Sequence, residues 1–204
     1  MDETSPVNPE DILNLFKNIE QTLRELNIKW ALIGGLAVST HANPRFTNDI
    51  DISVSVSSDK EVENIVFQLQ QRQWKAEQIL EEEHKSYVST VRFIHLQYPD
   101  IFIDLLFASS GIETEIVEEA FLLEALPSLK IKVAQIGHLL ALKVLSEGPG
   151  REQDTLDIRA LLKEAQPSDI EKAKEASSLI MSRGFNRNRD LLELLQQHLK
   201  TPHQ

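Results

Sequence analysis

Apolar residues open the chain at steps of four and three: Ile12, Phe16, Ile19, Leu23 and Leu26. Those steps gather them on one face of a helix. Asn8-Pro9-Glu10-Asp11 supplies its start, with a capping amide, a proline at the first helical position and acids near the positive end of the dipole. The residues before it read as a loose tail. Trp30 to Ile33 is a short apolar run ending at Gly34-Gly35. It predicts a buried strand feeding a tight turn, with a short helix from Leu36 to His41. From Ile50 to Val56 the pattern alternates: Ile50, Ile52, Val54 and Val56 face one way, Asp49, Asp51, Ser53 and Ser55 the other. Ser58-Asp59-Lys60-Glu61 is a capping-box signature, so a helix carrying Val62, Ile65, Val66 and Leu69 follows. Trp74–Leu80 and Tyr87–Gln97 predict strands around the acidic turn Glu81–Glu83, and Ile101–Phe107 predicts a further, strongly apolar strand.

Beyond residue 110 helical spacing takes over. Helices are predicted at Glu113–Leu122, Ala134–Ser146, Arg151–Lys163, Ser168–Ser182 and Asn188–Leu199, with Gly148-Pro149-Gly150 separating two of them. Strands with a few helices, then helices alone, predict an α+β fold: a mixed-sheet core over 1–110 and a mainly helical region, closing as a bundle, over 111–204.

Composition narrows the chemistry. The 204 residues carry a net charge of -11 and no cysteine. Disulfides and thiolate metal sites are excluded, and any metal must be held by oxygen or imidazole. Uniform electrostatic binding to nucleic acid needs clustered Lys and Arg, so only a local basic groove could do it. No apolar run approaches the ~20 residues of a membrane span. The acidic, polar start is unlike a signal peptide, and the expectation is a cytoplasmic protein without a membrane partner. The histidines are scattered and form no zinc motif.

Three carboxylates stand out. On a strand, Asp49 and Asp51 leave the same face with Cα atoms about 6.5–7 Å apart. Two such acids repel unless protonated or bridged by a cation, and together they can clasp one octahedral Mg²⁺. Two solvated surface acids are the plain alternative. Asp104 sits inside Ile101-Phe102-Ile103-Asp104-Leu105-Leu106-Phe107. A carboxylate in so apolar a strand must be paired, protonated or metal-bound, and a structural ion pair with an arginine is the competing reading. Gly34-Gly35, between strand and helix, lets a phosphate approach backbone N–H groups.

In combination, Leu32-Ile33-Gly34-Gly35-Leu36-Ala37 and Arg45-Phe46-Thr47-Asn48-Asp49-Ile50-Asp51 resemble the nucleotidyltransferase superfamily related to DNA polymerase beta. The form Gly-Gly-x-Ala with Arg-x-Thr-x-Asp-x-Asp is similar to the AbiEii-type group, which includes toxins of abortive-infection and toxin–antitoxin systems. Lys143, then Arg151, Asp154 and Asp157, also look like that group, so the resemblance spans roughly residues 30–162. It implies a nucleotidyltransferase-like fold and transfer of a nucleoside monophosphate from an NTP, ATP included, to an acceptor hydroxyl. Two Mg²⁺ (or Mn²⁺) ions would be held by Asp49, Asp51 and Asp104, with the Gly34 and Gly35 amides on the β and γ phosphates. Many relatives have serine where this chain has Gly35, so a hydroxyl contact to the triphosphate is missing.

Arg45 and Thr47 are then candidate phosphate contacts or loop supports. Lys143 either reaches the triphosphate or snorkels to solvent. Arg151 pairs within its own helix or, with Asp154, supports the site; Asp157 reads as part of the intrahelical arrangement. Arg183, Arg187 and Arg189 form a local basic cluster able to hold an RNA acceptor such as tRNA, or simply a solvated loop. A cognate antitoxin is an expected partner. The acceptor stays open between RNA, protein and a small molecule. The non-enzymatic alternative is an inactive binding or regulatory module, and a metal-dependent phosphohydrolase or nuclease is a third reading.

Overall fold

The computed structural model describes residues 8–42, 47, 49–81, 88–126 and 129–200. Arg45 and most of the acidic turn Glu81–Glu83 lie outside these residues. The first helix, α1 (Pro9–Glu25), starts as its sequence dictates: Asn8 Oδ1 accepts from the Glu10 amide at 3.0 Å. It buries Leu15, Phe16, Ile19 and Leu23 in the core. Strand β1 (Trp30–Ile33) runs straight into α2 (Gly34–His41), which therefore begins at the glycine pair itself and not at Leu36. Next come β2 (Asp49–Val54) and α3 (Asp59–Gln70). Ser58 Oγ caps α3 through the Glu61 amide at 3.4 Å, while the Glu61 carboxylate reaches back to Ser57, one residue earlier than a capping box requires.

Strands β3 (Trp74–Glu81), β4 (Val88–His95) and β5 (Tyr98–Leu106) follow as an antiparallel meander. The stretch predicted as one strand to Gln97 turns at Leu96-Gln97, and β5 starts three residues before Ile101. Helix α4 (Glu113–Glu119) leads to two strands that the helical reading missed, β6 (Phe121–Leu126) and β7 (Leu129–Val133). Leu129, Ile131 and Val133 alternate with Lys130 and Lys132, a period of two that identifies the second of them; Phe121–Leu126 has no such alternation. Helices α5 (Ile136–Ser146), α6 (Glu152–Glu164), α7 (Pro167–Ser182) and α8 (Leu191–Lys200) complete the chain.

The sheet has seven strands in the order β3-β4-β5-β2-β1-β7-β6. It is mixed: β2 pairs β5 in parallel and β1 antiparallel, and β7 returns parallel to β1 with Leu32 opposite Val133. The sheet therefore does not end at residue 110. One core of Leu, Ile, Val and Phe runs from α1 through the sheet to α5, α7 and α8. Among the described residues no helix is long and apolar enough to cross a membrane.

Candidate active site

Alternation puts Ile50 and Ile52 into the core and leaves Asp49 and Asp51 half-buried on the other face of β2. The register then builds a row across four strands. Ile33 on β1 lies opposite Asp51, Asp51 opposite Asp104 on β5, and Asp104 opposite Arg92 on β4. The three aspartates that the sequence singled out are thus brought together by one parallel pairing, with Asp49 one pleat along from Asp51.

Their electrostatics follow from that crowding. Burial raises the Asp51 carboxyl to about 6, the Asp104 charge adding to it and Lys143 opposing it. Burial also raises Asp49, with Arg92 pulling it back. Arg92 grips Asp104 with both arms, Nε to Oδ1 at 2.8 Å and Nη2 to Oδ2 at 2.6 Å. Its guanidinium lies 4.9 Å from the Phe102 ring centroid. The competing reading of Asp104, an ion pair with an arginine, is therefore present in the structure. Arg92 went unnoticed in the sequence, although its place between buried Val91 and Phe93 puts it on the face shared with Asp104.

Gly34 closes the row at β1. Its φ is +67°, and a Cβ there would lie 1.8 Å from Asp51 Oδ2. Glycine is thus required twice, for the left-handed turn and for the approach of the carboxylate. Gly35 is buried in the same turn. Thr47 Oγ1 lies 3.4 Å from the Asp49 amide, a weak contact that supports the start of β2. A cavity of about 160 Å³ opens beside this row, lined by Gly34, Asp51, Lys143, Arg151, Asp154 and Arg187.

Lys143 neither reaches freely into that cavity nor snorkels to solvent. Its Nζ sits 2.8 Å from Asp154 Oδ1 and 2.8 Å from Asp157 Oδ2, tying α5 to α6. Ser146 Oγ donates to Asp154 at 3.0 Å, and the intrahelical Arg151–Asp154 pair is also formed at 3.1 Å. Asp157 is therefore a partner of Lys143, not only a helix-surface acid. The basic cluster divides by partner. Arg183 binds Glu115 and the Gly111 carbonyl, and Arg189 binds the Leu145 and Glu147 carbonyls. Arg187 lines the cavity. The cavity's Ser109-Ser110 edge, also missed in the sequence, is fixed by Glu113, whose Oε1 accepts from both backbone amides at 2.8 and 2.7 Å.

Do these residues suit a metal? Among the described residues no three His, Cys, Asp or Glu side chains already converge as a ligand set, and Arg92 occupies both Asp104 oxygens. The donor chemistry fits a hard divalent cation: all-oxygen carboxylates, two of them held above their ordinary pKa by burial, with the neighbouring Asp104 charge adding to the strain.

The family described as nucleotidyl transferase AbiEii toxin, type IV TA system, matches residues 20–203. The chain belongs to the AbiEii family. It is accordingly a nucleotidyltransferase, an enzyme that takes a nucleotide substrate and transfers a nucleoside monophosphate. No curated protein matches the AbiEii chain in sequence. Solved structures do match in shape. An antigenic nucleotidyltransferase-like protein from Paracoccidioides brasiliensis is 17% identical over 94% of this chain and 95% of its own, with a TM-score of 0.56. The antibiotic-resistance factor ANT(2'')-Ia in solution is 16% identical over 94% and 98%, also at 0.56. Its crystal structure with adenylyl-2''-tobramycin is 15% identical over 85% and 98%, at 0.54. At these identities what is shared is the fold.

Proposed function

We propose that this AbiEii protein transfers a nucleoside monophosphate from an NTP to an RNA hydroxyl, and that the row Asp49, Asp51 and Asp104 is its catalytic centre. The observation that carries this reading is the parallel β2–β5 pairing, which sets Asp51 beside Asp104 at the mouth of a cavity bounded by Gly34. Nucleotidyltransferases generally use divalent ions, and here Asp49 and Asp51 would hold Mg²⁺ or Mn²⁺, with Asp104 beside them. The bound ion supplies charge neutralisation and polarisation of the reacting oxygens. The chain's own groups do the rest. The Gly34 turn and the N-terminus of α2 offer amides to the phosphates. Thr47 steadies the Asp49 backbone. The Lys143–Asp154–Asp157 brace fixes α5 and α6 as one wall, so that placement and charge, not covalent chemistry by the protein, lower the barrier.

RNA is favoured as acceptor because the matching family is that of a toxin. A cognate antitoxin is the expected protein partner. The test is a calorimetric titration of each NTP with Mg²⁺ or Mn²⁺ into wild type and D49A/D51A, followed by incubation with labelled NTP and total RNA. Metal-dependent binding lost in the double variant, with label passing to RNA (tRNA first among its fractions), is the expected result. Binding without label on RNA redirects the acceptor to protein or a small molecule. Absence of metal-dependent NTP binding to wild type would overturn the site assignment.

A further inference from the structure

We propose that Arg187 is the residue that binds the phosphates of the donor nucleotide. Three cations line the cavity beside Asp51: Lys143, Arg151 and Arg187. Two of them are already committed. Lys143 Nζ is shared by Asp154 and Asp157, both at 2.8 Å, and Arg151 Nε lies 3.1 Å from Asp154. Arg187 has no ion pair among the described residues. A triphosphate brings several negative charges to a wall that already carries Asp51 and Asp154, and Arg187 is the cation on that wall with its guanidinium free to meet them. A planar guanidinium can grip phosphate oxygens in pairs, which a lysine cannot.

The segment around Arg187 is built to hold it there. On one flank Arg183 grips Glu115 with Nη2 at 2.6 Å and Nη1 at 3.1 Å, and also binds the Gly111 carbonyl. Phe185 lies so close to Gly111 that a Cβ there would stand 2.4 Å from the ring. On the other flank Arg189 Nη1 donates to the carbonyls of Leu145 at 3.1 Å and Glu147 at 2.8 Å, closing the end of α5. Asn186 Nδ2 donates to the Arg189 carbonyl at 2.7 Å, drawing the turn shut. Between these anchors Arg187 and Asn188 both take left-handed backbone, φ 53° and 58°. Asparagine tolerates that region; arginine rarely enters it. An arginine held in disfavoured backbone by contacts on both sides, at the rim of a cavity, is positioned for a ligand.

The inference rests on the nucleotide site proposed above. Its test compares wild type, R187Q, R187K and D51N in calorimetric binding of the best NTP with Mg²⁺, and of tRNA separately. Arg187 is exposed and has no ion pair among the described residues, so the R187Q melting temperature should match wild type. The expected result is an NTP affinity lowered about tenfold or more in R187Q and only partly restored in R187K, which returns the charge without the paired grip, with tRNA affinity changed far less. Unchanged NTP binding in R187Q, while D51N loses it, overturns the role of Arg187 and leaves the nucleotide site standing. A loss confined to tRNA also overturns it and assigns Arg187 to the acceptor. Failure of wild type to bind any NTP removes both readings together.

Discussion

At the scale of single residues the site is set by what each side chain is forced to tolerate. Asp51 is the clearest case. Burial raises its carboxyl from 3.8 to about 6, with the Asp104 charge reinforcing that rise. Above pH 6 the folded protein carries a charge there that the unfolded chain carries at less cost. As pH falls from about 6 towards 3.8, the folded state binds the proton first, so this group's penalty fades and stability rises. Metal-free wild type should therefore lose less stability than D51N between pH 7 and pH 5, and D51N should be the more stable of the two at pH 7. Thermal melts of both proteins in chelator across that range check the sign. A D51N melt lower than wild type at pH 7 would show that the buried charge is compensated. The same crowding explains Gly34, whose missing side chain is the space that the Asp51 carboxylate fills. Asp104 was legible as an acid needing a partner; that the partner is Arg92 was not, because nothing local links two residues on successive strands until their register is known.

At the scale of elements the decisive joint is α5 against α6. Lys143 is 12% exposed, Asp154 8% and Asp157 2%. Removing the ammonium leaves two buried carboxylates without their shared cation; Asp154 keeps the more exposed Arg151 and the Ser146 hydroxyl, and Asp157 keeps the neutral Gln153 amide. K143M is expected to cost about 3 kcal/mol, since breaking a buried pair strands the remaining charge. Urea unfolding of K143M beside K143R would measure it; a cost below about 1 kcal/mol would mean that the brace contributes little to the fold. It follows that lost activity in K143M is no proof of contact between Lys143 and nucleotide. Helix starts at Asn8 and Ser58 were readable because caps act over two or three residues. The hairpin β6–β7 was not, because Phe121–Leu126 lacks period-two alternation and follows a genuine helical turn without a break.

Across the whole molecule the sheet makes one body of the aspartate row and the helices behind it. Strand β7, from the mainly helical half, covers the edge of β1, the strand that leads to Gly34. A fragment of residues 1–110 would leave that edge unpaired and would expose the core that α5, α7 and α8 cover. It should show no cooperative unfolding transition, whereas the full chain should melt in one step. A cooperative transition in the fragment would establish an independent catalytic core. Net charge works at this scale too. At -11 the chain repels polyanions broadly, whereas the cavity beside Asp51 is lined by three cations, Lys143, Arg151 and Arg187, against the two acids Asp51 and Asp154.

The sequence by itself determined the family, the alternation that puts Asp49 and Asp51 on one face, the anomaly of Asp104 among apolar neighbours, and the glycine turn after β1. These are local matters: the two-residue period of a strand, the reach of a cap, the cost of a charge beside Ile and Leu. The tertiary structure alone decided which strands lie side by side, and with that the pairing of Arg92 with Asp104, the capture of Lys143 by Asp154 and Asp157, and the separation of Arg187 from Arg183 and Arg189 within one short basic stretch. Each of those depends on contacts between distant segments, and side chains identical in kind become a brace, an anchor or a candidate ligand group according to what the fold places opposite them.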